Sequence, residues 1–261
     1  MIRGFLKIIG LRGEANGGLA TMSSQAPVCL VSYPKSGSTW VRFVLGNYLS
    51  GNQCDFHNVD EWVPDVHAVG DAVGGTTGLR LQKSHFPKAG AMGPVVYLVR
   101  DGRDVAVSYY KHQLKNRVIR DDYGFDRFLD DFNKGAVFPG ISWNDHVMSW
   151  CADDAGPLLI IRYEDLLTDA GKQISCIMRF CGLEVDEVRL ASAIEASSFE
   201  AMRELEKKQH DSAKHLSGTR ADIRHVREGK AGTWRDYFGD DALDEFMRTQ
   251  RVAMSLLGYD L

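Results

Sequence analysis

The chain has 261 residues, 44% of them hydrophobic, with 31 Lys and Arg against 35 Asp and Glu. That length and content support one domain with a large core, and a formal charge of −4 provides no bulk attraction to nucleic acid. Cys29, Cys54, Cys151, Cys176 and Cys181 form neither a C-x-x-C pair nor a Cys/His metal spacing, which argues against a disulfide scaffold or zinc site and fits a reducing cytoplasm.

No run of about 18 apolar residues occurs, so no transmembrane segment is expected. Residues 1–26 read as an N-terminal arm. Their stretch I-R-G-F-L-K-I-I-G-L-R is too interrupted by charge and glycine for a signal-peptide core, and residues 1–18 offer at most a weak membrane-surface contact. Residues 28–33 are a nearly continuous apolar run rich in β-branched side chains, the pattern of a strand buried on both faces. Pro34 and Gly37 end it in a tight loop, after which Val41, Val44, Leu45, Tyr48 and Leu49 recur at helical spacing up to Gly51. Such a loop leaves N–H groups unpaired at the positive end of a helix. Lys35, Ser36, Ser38 and Thr39 add a cation and hydroxyls, a donor set suited to phosphate or sulfate oxygens. The plainer alternative is an ordinary turn with Ser38 or Thr39 as N-cap. No Walker A pattern is present, since Lys35 precedes the glycine, and a common nucleoside triphosphate is not the expected ligand.

Residues 51–78 lose periodicity and are expected to be a long loop that frames a second ligand or packs Phe56 and Trp62 onto a sheet. Residues 79–84 read as a second strand delivering Lys83 and His85 to the same edge, where an imidazole with a pKa near neutral suits a general base. Residues 94–100 are the clearest strand, and Asp101 or Gly102 starts the helix after it. Phe125, Phe128, Leu129 and Phe132 form one helical face; Trp143, Val147 and Trp150 form another, with His146 structural. A strand at 158–163 precedes a helix through Ile174, Ile177, Met178 and Cys181 that Gly182 closes. Residues 204–227 are polar and highly charged, a composition that suits a mobile lid, and residues 240–257 close the chain as an amphipathic helix.

Six segments, in order, resemble the sulfotransferases that use 3′-phosphoadenosine 5′-phosphosulfate (PAPS). Y-P-K-S-G-S-T-W at 33–40 is similar to that family's 5′-phosphosulfate loop, and K-S-H-F-P at 83–87 to the segment bearing its base. R-D-G-R-D-V-A-V-S at 100–108 resembles the 3′-phosphate motif, in which Arg100 and Ser108 are the matching positions. Y-E-D-L at 163–166 and S-S-F-E-A-M at 197–202 resemble the adenine-binding segments, which implies base contacts for Tyr163, Ser197 and Phe199, with Trp40 stacking on the other face of the ring. V-R-E-G-K-A-G-T-W at 226–234 is similar to the C-terminal nucleotide signature. Arg227 and Gly229 match there, whereas Glu228 stands where the family often has lysine, and Lys230 is a candidate replacement for the charge.

The resemblance implies a single α/β domain over residues 27–261, a central parallel sheet flanked by helices with a P-loop-like phosphosulfate-binding loop. It implies PAPS as donor and 3′-phosphoadenosine 5′-phosphate (PAP) as product, with no metal. His85 is then the base, Lys35 stabilises the leaving phosphate oxygen, Lys83 with Ser38 or Thr39 holds the sulfuryl oxygens, and Ser108 tethers Lys35. Gly37 completes the loop. The expected acceptor is a small alcohol, phenol or lipid hydroxyl, or an amine, with a carbohydrate as the alternative. A nucleotide-dependent kinase or a catalytically dead nucleotide-binding protein are the rivals. The short dimer motif of the animal cytosolic members is absent, and the oligomeric state stays open.

Overall fold

The structure, a computed structural model, describes residues 27–69, 81–89, 93–151, 156–226 and 229–261. The expected N-terminal arm, Arg227 and Glu228 lie outside the described residues. The elements are β1 (Val28–Ser32), α1 (Ser38–Ser50), α2 (Val59–Trp62), α3 (Val66–Val69), β2 (Leu81–Ser84), β3 (Val95–Val99), α4 (Gly102–Lys115), α5 (Phe125–Asn133), α6 (Trp143–Trp150), β4 (Leu158–Arg162), α7 (Tyr163–Thr168), α8 (Ala170–Phe180), α9 (Glu187–Ala196), α10 (Phe199–Gln209) and α11 (Asp240–Leu256). A 3-10 turn, Thr233–Asp236, precedes α11.

The strands form one four-stranded sheet in the order β2-β1-β3-β4, parallel throughout. Alternation along β1 and β3 divides the core. Val31, Tyr33, Tyr97 and Val99 face a layer containing Phe128, Phe132, Trp143, Trp150 and Phe246, while Leu30, Val96 and Leu98 face Val41, Leu45, Ile174 and Ile177. The Trp143, Val147 and Trp150 face of α6 is core, as its spacing predicts. His146 is fully buried; it accepts from the Tyr97 hydroxyl at 2.8 Å and donates from Nε2 to the His85 carbonyl at 3.1 Å.

Two stretches depart from expectation. The region after α1 contains the short helices α2 and α3, and Phe56 is buried in a third apolar cluster with Phe43, Met202 and Leu216, so it packs the segment down. The charged stretch from 204 onward continues α10 to Gln209, and Ala213 and Leu216 beyond it are fully buried. One of its charges, Glu206, is spent inside. Glu206 and Lys115 form a buried ion pair, which composition alone cannot distinguish from a solvated lid.

Gly102, the first residue of α4, lies against Trp143 and Phe246. A Cβ there would sit 2.9 Å from Trp143 Cε3 and 3.0 Å from Phe246 Cζ, both on rigid rings in the core. Alanine gains about 1 kcal/mol of helix propensity but incurs an overpacking cost of about 1–3 kcal/mol. Gly102→Ala should therefore lower the melting temperature by a few degrees in calorimetry; an unchanged or raised value would show that the α4–α6 contact yields without strain.

Candidate active site

All four parallel strands run toward one edge, and the residues just beyond their C-terminal ends meet there. A cavity of about 390 Å³ opens at this edge, lined by Lys35, Ser38, Lys83, His85, Arg100 and Ser108 among others.

The β1–α1 loop is built as an anion cradle. Gly37, with φ 102°, is the N-cap of α1, so neither Ser38 nor Thr39 caps it and no side chain bonds to the first N–H groups of the helix. No acidic residue stands in its first turn. Lys35 has φ 73°, a left-handed conformation that costs a non-glycine residue about 1–2 kcal/mol. A Cβ on Gly37 would lie 2.7 Å from the Tyr163 ring, so only glycine lets Tyr163 press against the loop. Ser36 Oγ and Arg100 Nε are buried without a hydrogen-bond partner among the described residues. Two unpaired buried donors beside an uncapped helix start fit an anionic group with several oxygens.

Arg100 follows β3. Its guanidinium lies over the Tyr163 ring at 4.4 Å and donates to the Lys230 carbonyl at 3.1 Å. Asp104, fully buried one turn into α4, stands 3.8 Å from Arg100 and accepts from the N–H groups of Gly232 and Trp234 at 2.7 and 3.0 Å and from the Thr233 hydroxyl. It thereby fixes the C-terminal loop to the Arg100 side of the cavity. Gly229, with φ 62°, fits there because any side chain would strike Phe199, 2.2 Å from its would-be Cβ.

On the other side stand Lys83 and His85. Lys83 is buried and paired with Asp65 at 2.6 Å; burial pulls its ammonium down to about 8, against the pull of Asp65. His85 Nδ1 lies 2.7 Å from the Ser32 carbonyl. A carbonyl only accepts, so Nδ1 carries the proton and Nε2 keeps a bare lone pair. Burial, then the charge of Lys83, holds His85 well below the usual histidine value. His67 stacks on it at 5.6 Å and accepts from its backbone N–H at 2.8 Å.

The structure thus brings Lys35, Gly37, Ser38, Thr39, Trp40, Lys83, His85, Arg100, Ser108, Tyr163, Phe199 and Gly229 to one cavity wall. Ser197 is placed differently. It is fully buried, its hydroxyl accepts from Asn47 at 2.9 Å, and its carbonyl accepts from the Trp40 indole at 3.0 Å, so it positions Trp40 instead of facing a ligand. Trp40 and Phe199 touch, with ring centroids 5.3 Å apart; a base between them would need about 7 Å, two stacking distances. Lys35 meets His112 Nδ1 at 3.5 Å. Sequence reading missed His112, Asn116, His215, His225 and Asp65 at this site. Only His112 carried a local signal, standing four residues after Ser108 on the same helical face.

The sulfotransferase domain family matches residues 25–258. Mouse sulfotransferase 1B1 is 29% identical over 252 residues, 89% of this chain and 84% of its own length; bovine sulfotransferase 1A1 is 30% identical over 89% of this chain and 85% of its own. Among solved structures, mouse sulfotransferase SULT7A1 complexed with PAP superposes with a TM-score of 0.67 at 24% identity, covering 91% of this chain and 90% of that one. Retinol dehydratase in complex with retinol and PAP has the same TM-score, 0.67, at 20% identity, covering 90% of this chain and 82% of that one. The matched sequence runs through the whole strand, loop and helix framework of the cavity, and the chain belongs to the sulfotransferase family.

Proposed function

We propose that the protein transfers the sulfuryl group of PAPS to a hydroxyl or amine of a small acceptor, with His85 as general base. The observation that carries this reading is the fixed tautomer of His85: a lone pair at Nε2, in a cavity that also presents Lys35 and Lys83. PAPS supplies a sulfuryl group already activated by its bond to phosphate. The loop N–H groups, Ser36 and Lys35 hold the phosphosulfate end, and Arg100, Ser108 and Gly229 lie toward the 3′-phosphate. The acceptor oxygen forms the new S–O bond as its proton passes to His85 Nε2. The bond from sulfur to the phosphate oxygen breaks, and PAP leaves with the electron pair. Lys35 offsets charge on the departing oxygen, and Lys83 offsets charge on the sulfuryl oxygens. This is catalysis by positioning and electrostatics, as in phosphoryl transfer. Small phenols and alcohols suit the mixed aromatic and polar wall around Phe56, Tyr109 and Phe138.

His85→Asn should cut kcat by about 10²–10⁴, the usual worth of a general base, while stabilisation by PAP persists. A rate within threefold of wild type would remove His85 from the role. Thermal stability should rise with PAP and much less with equal ATP or AMP, since a ligand that binds only the folded state raises the melting temperature by mass action; equal shifts would mean that the site does not select the 3′-phosphate. The pH profile of kcat/KM for the donor reports the free enzyme. The working neutral form of His85 is complete at 6.5 and is lost only as pH falls through its depressed pKa, whereas charged Lys83 is lost as pH rises through about 8. The profile should therefore be flat across 6.5, with an alkaline limb near 8. A limb at the ordinary lysine value of 10.5 would show that burial does not depress Lys83, and an alkaline limb that persists unchanged in Lys83→Met would take Lys83 out of the mechanism.

A further inference from the structure

Beyond the reacting groups, the cavity wall is built from segments far apart in sequence, and one buried ionic clamp fixes the most distant of them. Lys115, at the end of α4, is 1% exposed. Its Nζ pairs with Glu206 Oε1 at 3.1 Å and donates to the carbonyls of Ile223 and Arg220 at 2.6 and 3.1 Å. Glu206, on α10, accepts from the backbone N–H groups of His225 and Val226 at 2.6 and 2.9 Å. Burying two charges is costly, and a buried pair persists where its remaining donors and acceptors are met. Here they are met by the backbone of one loop segment, which is held in a single conformation at the cavity.

That segment carries His225, whose side chain is part of the cavity wall. Its ring meets Phe56 edge-on at 6.2 Å and His112 at 5.7 Å, and His112 in turn meets Lys35. Among the described residues, no hydrogen-bond partner reaches either ring nitrogen of His225, which bonds to Glu206 through its backbone N–H. Burial, followed by the charges of Lys35 and Lys115, keeps the imidazole neutral. A neutral imidazole offers one donor and one acceptor. An acceptor with a single hydroxyl and an otherwise apolar body would displace water from this ring and pair with neither group.

We propose that His225 determines acceptor specificity by hydrogen-bonding a second, uncharged polar group of the acceptor, so that the preferred substrates are small molecules with a hydroxyl in addition to the one that is sulfated. Lys115 and Glu206 act through His225 as positioning residues. The inference rests on the sulfuryl-transfer reading above and narrows its acceptor class.

The test compares phenol with catechol, resorcinol, hydroquinone and 4-hydroxybenzyl alcohol. Binding to the protein with excess PAP is measured by calorimetry, and turnover with PAPS is measured alongside. Failure of the chemistry would appear in turnover alone, and failure of this proposal in the binding order. At least one dihydroxy compound should bind about 10-fold or more tightly than phenol, because a site built to meet a hydroxyl rejects the analogue that lacks it. In His225→Phe, which keeps an aromatic ring against Phe56, that preference should fall below about twofold; His225→Asn, which keeps a donor and an acceptor, should retain part of it. The double variant Lys115→Met with Glu206→Leu replaces the ion pair with apolar volume and should lower the same preference. Phenol binding as tightly as every dihydroxy compound in the wild type, or a preference that survives in His225→Phe, overturns the proposal. Should the Phe variant fail to fold, an undiminished preference in His225→Asn and in the double variant overturns it as well.

Discussion

The organising constraint is that β1 lies inside a sheet whose strands all run the same way. Parallel pairing with β2 on one side and β3 on the other sends three chain segments off the same edge, and β4 adds a fourth. Four polar groups of the site follow from that one directional fact: Lys35 after β1, His85 after β2, Arg100 after β3 and Tyr163 after β4. The hydrophobic layers on both faces leave no other exit for functional side chains. The backbone beyond the edge must then be held by polar contacts. Asp104 gathers the C-terminal loop, and the Ser32 carbonyl fixes the His85 ring.

Positive charge concentrated at this edge has a second consequence. Lys83 lowers the proton affinity of His85, and Lys35 and Lys115 lower that of His112 and His225, on top of burial. A depressed pKa makes an imidazole a weaker base but keeps it neutral near pH 7, the form that the proposed role asks of His85. The same cations would offset negative charge developing beside it in that proposal, a balance set by the environment and not by the histidine.

Much of the framework was legible because it is local. A β-branched run, a glycine and a helical stripe delimit β1, its loop and α1 to within a residue or two, and the Trp143, Val147 and Trp150 spacing gives the right core face. Local reasoning failed where a second segment decides. Ser38 and Thr39 are good N-cap types, but the left-handed Gly37 takes the cap and leaves the N–H groups free of side chains. Ser197 has the right residue type for a nucleotide contact, yet Asn47 claims its hydroxyl. The charges after Glu204 looked solvated because nothing within that stretch shows that Lys115, some ninety residues earlier, receives one of them. Asp65 and Lys83 are likewise a tertiary pair with no sequence spacing to reveal it.

Helix α4 serves both sides of the cavity. Over 14 residues it carries Asp104 and Ser108 beside the donor loop, His112 against Lys35, and Lys115 under the segment that bears His225. A single element thus spans the cavity from the β1–α1 loop to the His225 segment. Any coupling it carried between two ligands of the cavity would be reciprocal, each altering the other's binding by the same factor whatever the order of arrival.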